Sequence, residues 1–581
     1  MIKRSIQYIT LGALLLAGVS CSKSQLRYNE RETSLDVNYF TYSRYLLTSA
    51  IVGVAQQYGK AVLSEPKSEA TLYFMDCYRG SSAAATLYGV TSQYWDYEGK
   101  NPYTEQLRYL AAVAKLATEE NNMANVAAAN ILKCVVGGYL TEKYGNIPFS
   151  EANLGREGNM FPKFDTQKEV YEQMFTLLDQ AVSILSDAGS EGLPSNHDVL
   201  FQGVRAKWIK LANSLKFRLM VHSYEAFKKS GRDLSSEMQA IASSGNYMSS
   251  ITDNAGLTFS GISQDESWYL QRNWGTGNDF TEQKPTKYLI DQMVALDDPR
   301  MYVIFAPALS PISAKATESS ENIKINGYTY KIDYYPSSMY DPSELVAAGR
   351  DLNGGIISVP YTLDAMWFGA PNPITINTQY ASATNLPGTN GFYDNRRITG
   401  FSQLIAKTSD PRLKAVVMES SEMMFLLAEA RQRGWISAGT VKDYYEKGIE
   451  LSFKRWQIED GTKPVSYIGS DKIVDDFSAY YAKPAVALDG TDADLDKIAI
   501  QKWLALLVTN HTEAYTDYKR TGRPAFIKKI VESFSTYNYP VRYMYLLDES
   551  SNNKEQYDAV VSAIGGKIFL LLRCGYCSNK F

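Results

Sequence analysis

The N-terminal segment ends in a cysteine placed where a lipid can be attached. Basic residues precede an apolar run over residues 9–19, and Cys21 follows it. This arrangement is typical of an export signal, and the run is too short to span a bilayer. In bacterial lipoproteins the cysteine at the cleavage point is acylated. We therefore predict a signal peptide over residues 1–20 and lipidation at Cys21. A plain secretory signal with an incidental cysteine is the alternative, because Gly18 stands where leucine is usual.

The sequence is also rich in aromatic side chains that could bind sugars. It contains 42 Tyr, 22 Phe and 8 Trp, which together make 12% of the chain. Tyr and Trp combine a flat apolar face with a polar tip, so their rings suit the C–H faces of sugars as well as wet interfaces. We predict that the ligand site lies among aromatic residues outside the predicted helices, which are Tyr94, Trp95, Tyr97, Trp268, Tyr269, Trp274, Trp367 and Phe368. For each of them, loop anchoring or core packing is the alternative.

Catalytic and cofactor chemistry is not indicated. The three histidines, His197, His222 and His511, lie in different segments, which argues against a histidine-based metal site or a catalytic triad. Cys574 and Cys577 form an isolated C-x-x-C pair without the second pair of a typical zinc site. The 63 acidic residues offer no motif that would select a catalytic pair. We therefore expect a binding protein that has no enzymatic activity, metal or cofactor.

Composition limits the partners of the chain. Its net charge of −4 and the lack of a Lys/Arg cluster argue against nucleic acid, which basic domains bind. Beyond Cys21 only four cysteines remain among 560 residues, too few for a disulfide scaffold. No later apolar run reaches eighteen residues. We expect a large folded body that is tethered to a membrane by lipid and does not span it.

The elements that must position these residues are mainly helical. Apolar residues recur with helical spacing from Tyr103 onward, and again after Asn122, which predicts a helical hairpin. The same spacing predicts a second pair over residues 167–185 and 206–224 and further helices over 420–433, 440–456 and 495–508. Helical hairpins in series favour a mainly α fold, with tetratricopeptide-like helix pairs in a solenoid-like scaffold.

The middle of the chain follows a different pattern. Between about 249 and 411, glycine and proline occur too often for long elements, so we predict a large loop-rich insertion. The domain prediction is a single body over 21–566, with its helical scaffold at about 40–248 and 412–566. Residues 567–581 form an atypical tail, which we interpret as a divergent or frame-shifted end.

Several motifs occur in an order that carries a family resemblance. They are LTEKYGNIPFSEA (140–152), FDTQKEVY (164–171), WIKLANSLKFR (208–218), IQKW (500–503), YTDYKRTGRP (515–524) and PVRYMY (540–545). In this order, behind a lipoprotein signal, they resemble the SusD/RagB family of Bacteroidetes outer-membrane lipoproteins over about residues 40–566. Trp208, Asn213 and Arg218 turn around their helix at five-residue steps. We interpret them as scaffold, with the Asn213 amide satisfied by backbone.

The resemblance implies a function as well as a fold. Family members carry tetratricopeptide-like helix pairs and lie over a SusC-like TonB-dependent transporter, capturing glycan or, less often, peptide for import. The segment that holds Trp95 stands about where members carry a stacking aromatic. We therefore expect an outer-membrane lipoprotein that faces the cell surface and delivers oligosaccharide to such a transporter. The open alternatives are a peptide-binding lid on the same transporter type and a helical protein-interaction scaffold without a small ligand.

Overall fold

Helices predominate in the structure, a computed structural model. It describes residues 42–62, 71–76, 102–187, 192–258, 283–306, 312–313, 319–325, 328–336, 400–401, 412–458, 477–528, 542–543, 545–546 and 548–564. The helices of the first half are α1 Ser43–Val62, α2 Gln106–Glu119, α3 Met123–Tyr144, α4 Gln167–Ser186, α5 Arg205–Lys229, α6 Ser235–Ser244, α7 Lys287–Leu296 and α8 Arg300–Ile304. Those of the second half are α9 Ser420–Gln432, α10 Val441–Arg455, α11 Phe477–Tyr481, α12 Asp494–Ala505, α13 His511–Thr521, α14 Glu549–Asn552 and α15 Lys554–Ala563.

Neighbouring helices in the sequence pack against each other. In the N-terminal half, each of α1 to α4 contacts the next helix in order, up to α5. In the C-terminal half, α9 packs against α10 and α12 and also reaches α5, while α13 contacts both α1 and α5. The prediction of a mainly α fold built from stacked helix pairs is confirmed.

The strands in the described part of the chain are short and form small sheets. They are β1 Phe74–Asp76, β2 Ala255–Thr258, β3 Gln283–Pro285, β4 Phe305–Ala306, β5 Ile312–Ser313, β6 Ser319–Ile325, β7 Tyr328–Pro336, β8 Gly400–Phe401 and β9 Lys414–Met418. The pairs β1–β3, β2–β9, β4–β8 and β6–β7 are antiparallel, and β5 joins β7 in parallel. Because β2 opens the predicted insertion and β9 follows its end, the chain leaves and re-enters the helical scaffold at neighbouring positions.

Local sequence signals explain where the helices start and stop. Thr166 caps α4: its hydroxyl accepts a hydrogen bond from the Glu169 backbone N–H, and the Glu169 carboxylate accepts one from the Thr166 backbone N–H. This capping box satisfies two donors at the helix start. At the other end of a helix, Gly522 follows α13 with a φ of 69°, a left-handed conformation that glycine adopts without strain.

The core runs through α3, which is buried over most of its length. By length and composition alone, α3 is the one helix among the described residues that could cross a membrane, but 83% of its apolar window is buried inside the fold. Its neighbours approach closely. A Cβ at Gly137 would collide with the ring of Phe149, which lies directly against this face of the helix. The apolar character of α3 therefore reflects its central place in the core.

Candidate ligand-binding site

The predicted aromatic site lies outside the described residues. This holds for Tyr94, Trp95, Tyr97, Trp268, Tyr269, Trp274, Trp367 and Phe368, and also for the predicted lipidation site Cys21. The atypical tail, residues 567–581, lies outside them too. These assignments stay predictions.

The scaffold motifs have the structural role expected from their spacing. Trp208 is fully buried, and its indole N–H donates to Asp198 at 2.8 Å. The Asn213 amide donates to the backbone carbonyl of Asn246 at 2.7 Å, which confirms the predicted satisfaction by backbone. Arg218 is buried and binds Glu422 through two hydrogen bonds of 2.5 and 2.8 Å. These three residues tie α5 to the segments packed around it.

A charged cavity lies where several helices end. Its volume is about 420 Å³, and it lies between the C-terminal half of α5, the segment after α9, the first turn of α12 and the end of α13. The ionisable side chains in its lining are Lys229, Arg433, Arg520, Arg523, His222 and the acidic Glu225. Basic residues complement the negative ends of helix dipoles, which gives one physical reason for their position.

Arg520 is the most firmly held of these cations. Its two terminal nitrogens bind the carboxylate of Glu429 at 2.6 and 2.7 Å, and one of them also reaches Asp517 at 2.8 Å. Although burial works to raise the pKa of Glu429, Arg520 and Arg433 hold that pKa well below its usual value. Arg520 Nε is buried and has no hydrogen-bond partner within the part of the chain that is described. One N–H donor of Arg520 is therefore unused.

The other two arginines are held less tightly. Arg433 donates through Nε to Glu429 at 2.7 Å, and its guanidinium lies 5.3 Å from the ring of Trp435. Trp435 is itself stacked on Tyr224, with ring centroids 4.1 Å apart. Within the part of the chain that the structure describes, Arg523 has one long ion pair, 3.6 Å from Nη1 to the carboxylate of Asp496. The stacked rings form a rigid wall of the cavity. Among the described residues, most N–H donors of Arg433 and Arg523 have no protein acceptor.

A buried network centred on His222 adjoins the cavity, and the sequence did not single out this residue as functional. One ring nitrogen, Nδ1, is 2.6 Å from Glu142, and the other, Nε2, is 2.9 Å from Glu513. A neutral imidazole has one N–H and could donate to only one of these carboxylates. Although burial works to lower it, the two glutamates raise the pKa of His222 to about 9. The ring is therefore a buried cation that joins α3, α5 and α13.

The same three side chains could be considered as a metal site. One ligand atom from each of Glu142, His222 and Glu513 lies within 4.8 Å of the others. A single ion can bind only one nitrogen of an imidazole, yet each nitrogen of His222 faces a different glutamate. Lys502 also donates to Glu513 at 2.7 Å and already compensates its charge. The geometry favours an ion-paired histidine over a metal ligand.

A cluster of exposed aromatic rings, which was not predicted from the sequence, lies at the start of α1. Tyr42 and Tyr45 are 46% and 44% exposed, and their ring centroids lie 6.1 Å apart. The guanidinium of Arg44 lies over both rings, and His197 meets Tyr45 edge-on at 5.2 Å. Solvent-facing rings beside an arginine are typical of binding surfaces. The aromatic residues at 39, 42 and 45 were the available sequence signal.

Two family models match the sequence. Residues 37–352 match a SusD-like family described as starch-binding and associating with the outer membrane. Residues 378–569 match a family described as SusD and RagB outer-membrane lipoproteins. No curated protein matches the chain.

Solved structures share the fold at low identity. A SusD homologue from Bacteroides fragilis is 18% identical, with 93% of this chain and 100% of that chain covered and a TM-score of 0.65. An outer-membrane protein from Bacteroides vulgatus, described in connection with nutrient binding, is 20% identical over 91% and 100%, with a TM-score of 0.66. A chitin-binding SusD homologue from Flavobacterium johnsoniae is 18% identical over 92% and 99%, with a TM-score of 0.60.

The fold and the scaffold motifs define the class of protein first. Stacked helix pairs form most of this chain, and its overall fold is similar to that of the solved SusD homologues. The first family model alone covers more than half of the 581 residues. This chain therefore belongs to the SusD-like family, as the ordered motifs predicted.

Proposed function

We propose that this protein is a lipid-anchored outer-membrane protein that captures oligosaccharide and passes it to a SusC-like TonB-dependent transporter, without catalysing a reaction. The observation that carries the proposal is the family match, whose descriptions name starch binding and outer-membrane lipoproteins. Structural neighbours that are themselves described as chitin-binding support a glycan as the ligand.

The proposed capture site is the set of aromatic residues outside the helices. Aromatic stacking tolerates sugars of different configuration. A few aromatic side chains can therefore bind an oligosaccharide without a specific hydrogen bond to every hydroxyl. The proposed anchor is Cys21, whose acyl chains would insert into the outer membrane, because each buried CH₂ contributes roughly 0.8 kcal/mol. The body would then stand on the cell surface beside the transporter.

A binding panel tests this function. A version of the chain that begins at residue 22, and so lacks the signal peptide and Cys21, is titrated with starch, chitin and plant-polysaccharide oligosaccharides, and with short peptides as a separate set. We expect saturable binding of at least one oligosaccharide, with the oligosaccharide recovered unchanged after incubation. Binding of peptides alone would replace the proposal with the peptide-lid alternative, and cleavage of a bound oligosaccharide would contradict a role in capture alone.

Fractionation tests the anchor and the partner. Full-length protein should sediment with outer membranes and be digested by protease on intact cells, whereas Cys21→Ala should be released from the membrane. Mild-detergent purification of the anchored protein should also recover a large TonB-dependent transporter. Membrane retention of Cys21→Ala would refute the lipid anchor, and recovery without a transporter would refute the partnership.

A further inference from the structure

Three arginines from two distant segments of the chain converge on the charged cavity. Arg433 follows α9, Arg520 lies in the last turn of α13, and Arg523 follows that helix. Arginine presents planar N–H donors that match a carboxylate in a bidentate geometry. We propose that this cavity binds the carboxylate of an acidic sugar unit, such as a uronic acid. The site is built wholly from the helical scaffold and goes beyond the proposed capture by aromatic residues.

Unused donors give the first argument. Arg520 is only 6% exposed, and its Nε has no partner among the residues described. That nitrogen is closed to solvent, so Arg520 adds positive charge to the cavity rather than a donor that a ligand can reach. Arg433 contributes only its Nε to Glu429, and Arg523 holds Asp496 only at 3.6 Å. The cavity therefore offers N–H groups of Arg433 and Arg523, beside the charge of Arg520, to a single small anion.

The remaining wall limits the chemistry of that anion. Glu225 lines the same cavity, and a carboxylate can accept hydrogen bonds from sugar hydroxyls but repels a second negative charge. A ligand with one carboxylate and several hydroxyls can place its carboxylate against the arginines and donate hydrogen bonds from its hydroxyls to Glu225. A doubly charged phosphate would meet Glu225 unfavourably.

The volume of the cavity is suited to a small ligand. A volume of about 420 Å³ falls within the range of about 300–1,000 Å³ that is usual for small-molecule pockets. The stacked pair of Trp435 and Tyr224 makes one side of the cavity rigid, since both rings are buried against each other. A preformed wall lowers the entropic cost of binding.

Dipole compensation is the competing explanation for the arginines. Basic residues near helix C-termini stabilise the helix without any ligand, and on that explanation the cavity would hold only solvent. The two explanations differ in one respect, because only the ligand site predicts saturable binding that depends on Arg433 and Arg523. The test is independent of the aromatic residues, so it can succeed even if the proposed glycan capture fails.

Calorimetric or NMR titration of the mature protein tests the site. The probes are D-galacturonate and D-glucuronate, with D-galactose as the matched neutral sugar and with sulfate and a short peptide carboxylate as competitors. We expect one equivalent of a uronate to bind, galactose not to bind, and affinity to fall as salt screens the arginines. Arg523→Gln and Arg433→Gln should each weaken binding about tenfold, because each removes charge-assisted hydrogen bonds.

Controls keep the result interpretable. Arg156→Gln removes an exposed arginine in the turn before α4, away from the cavity, and should leave uronate affinity unchanged. Arg523→Gln disturbs the fold least, because among the described residues its side chain makes only the long contact to Asp496. This variant decides the test if Arg433→Gln fails to fold. No saturable uronate binding, equal binding of galactose, unchanged affinity in Arg523→Gln, or stronger binding of sulfate or peptide would each overturn the proposal.

Discussion

Replacing His222 by glutamine should lower stability in a pH-dependent way. The imidazole lies between Glu142 and Glu513, and the His222 side chain is fully buried. Solvent therefore does not screen its ion pairs with the two glutamates. Glutamine has a similar reach but no charge, and its amide can donate toward one carboxylate while its oxygen faces the other. The variant keeps the volume of the site and removes the cation.

The magnitude follows from the pKa of His222, which the two glutamates raise from 6.5 to about 9. At roughly 1.4 kcal/mol per pKa unit, this rise contributes about 3 kcal/mol to the free energy of unfolding. A raised pKa means that the folded state holds the proton more tightly than the unfolded state does. The contribution is therefore complete below about pH 6.5 and is lost as the pH rises through about 9.

Urea unfolding of the wild type and of His222→Gln across this pH range measures the effect. We expect the difference in unfolding free energy to be about 3 kcal/mol near pH 6 and to shrink steadily toward about pH 9.5, as wild-type His222 loses its proton. His197→Gln is the matched control, because that ring lies against the exposed Tyr45. A difference for His222→Gln that stays constant with pH would refute the buried imidazolium.

Three further changes test other parts of the account. Gly448→Ala should destabilise the protein by about 1–3 kcal/mol in urea unfolding, because the alanine Cβ would lie 2.9 Å from the ring of Phe425. A stabilised variant would mean that α10 can move away from that ring. Trp208→Phe removes the indole donor to Asp198 and should lower stability by about 1–3 kcal/mol, while an unchanged thermal midpoint would show that this bond is replaced. A chelator should leave the thermal midpoint unchanged, because His222 is ion-paired rather than metal-bound, and a clear fall on chelation would contradict that assignment.

Local patterns in the sequence were sufficient to predict the helical scaffold. The apolar spacing over 167–185 corresponds to α4, Gln167–Ser186, where the capping residue Thr166 marks the start. The predicted helix over 420–433 corresponds in the same way to α9, which ends at Gln432. In α4 the buried residues recur on one face of the helix. In α9 nearly every residue from Ser420 to Ala430 is buried, and the run of apolar residues ended by Gly434 marked the helix instead.

Helix α13, whose buried residues are largely polar or charged, could not be predicted from apolar spacing. Most of α13, His511–Thr521, is buried, including Glu513, Lys519 and Arg520, so its polar residues hide the apolar period. Its start was still encoded locally, because Asn510 accepts a hydrogen bond from the Glu513 backbone N–H. Apolar spacing misses α13 because hydrogen bonds and ion pairs allow most of its polar and charged side chains to be buried.

The cavity and the histidine network could not be predicted from spacing either. Glu142 lies 80 residues from its partner His222, and Glu513 lies 291 residues away on the other side. Arg433 and Arg523 likewise come from separate segments that only the packed helices bring together. Nothing in a single sequence records such pairings, whereas the family motifs were visible because their residues are adjacent in the chain.

The most direct test of the central claim is titration of an oligosaccharide into a variant that lacks three of the predicted aromatic rings. Trp95, Trp268 and Trp274 are replaced together by alanine, and Phe161→Ala, which removes a ring that is 64% exposed, serves as the control. If the protein captures glycan by stacking, the triple variant loses binding to background and keeps the helical circular-dichroism signal, while the control binds as the wild type does. Normal binding by the folded triple variant would contradict the proposed capture site.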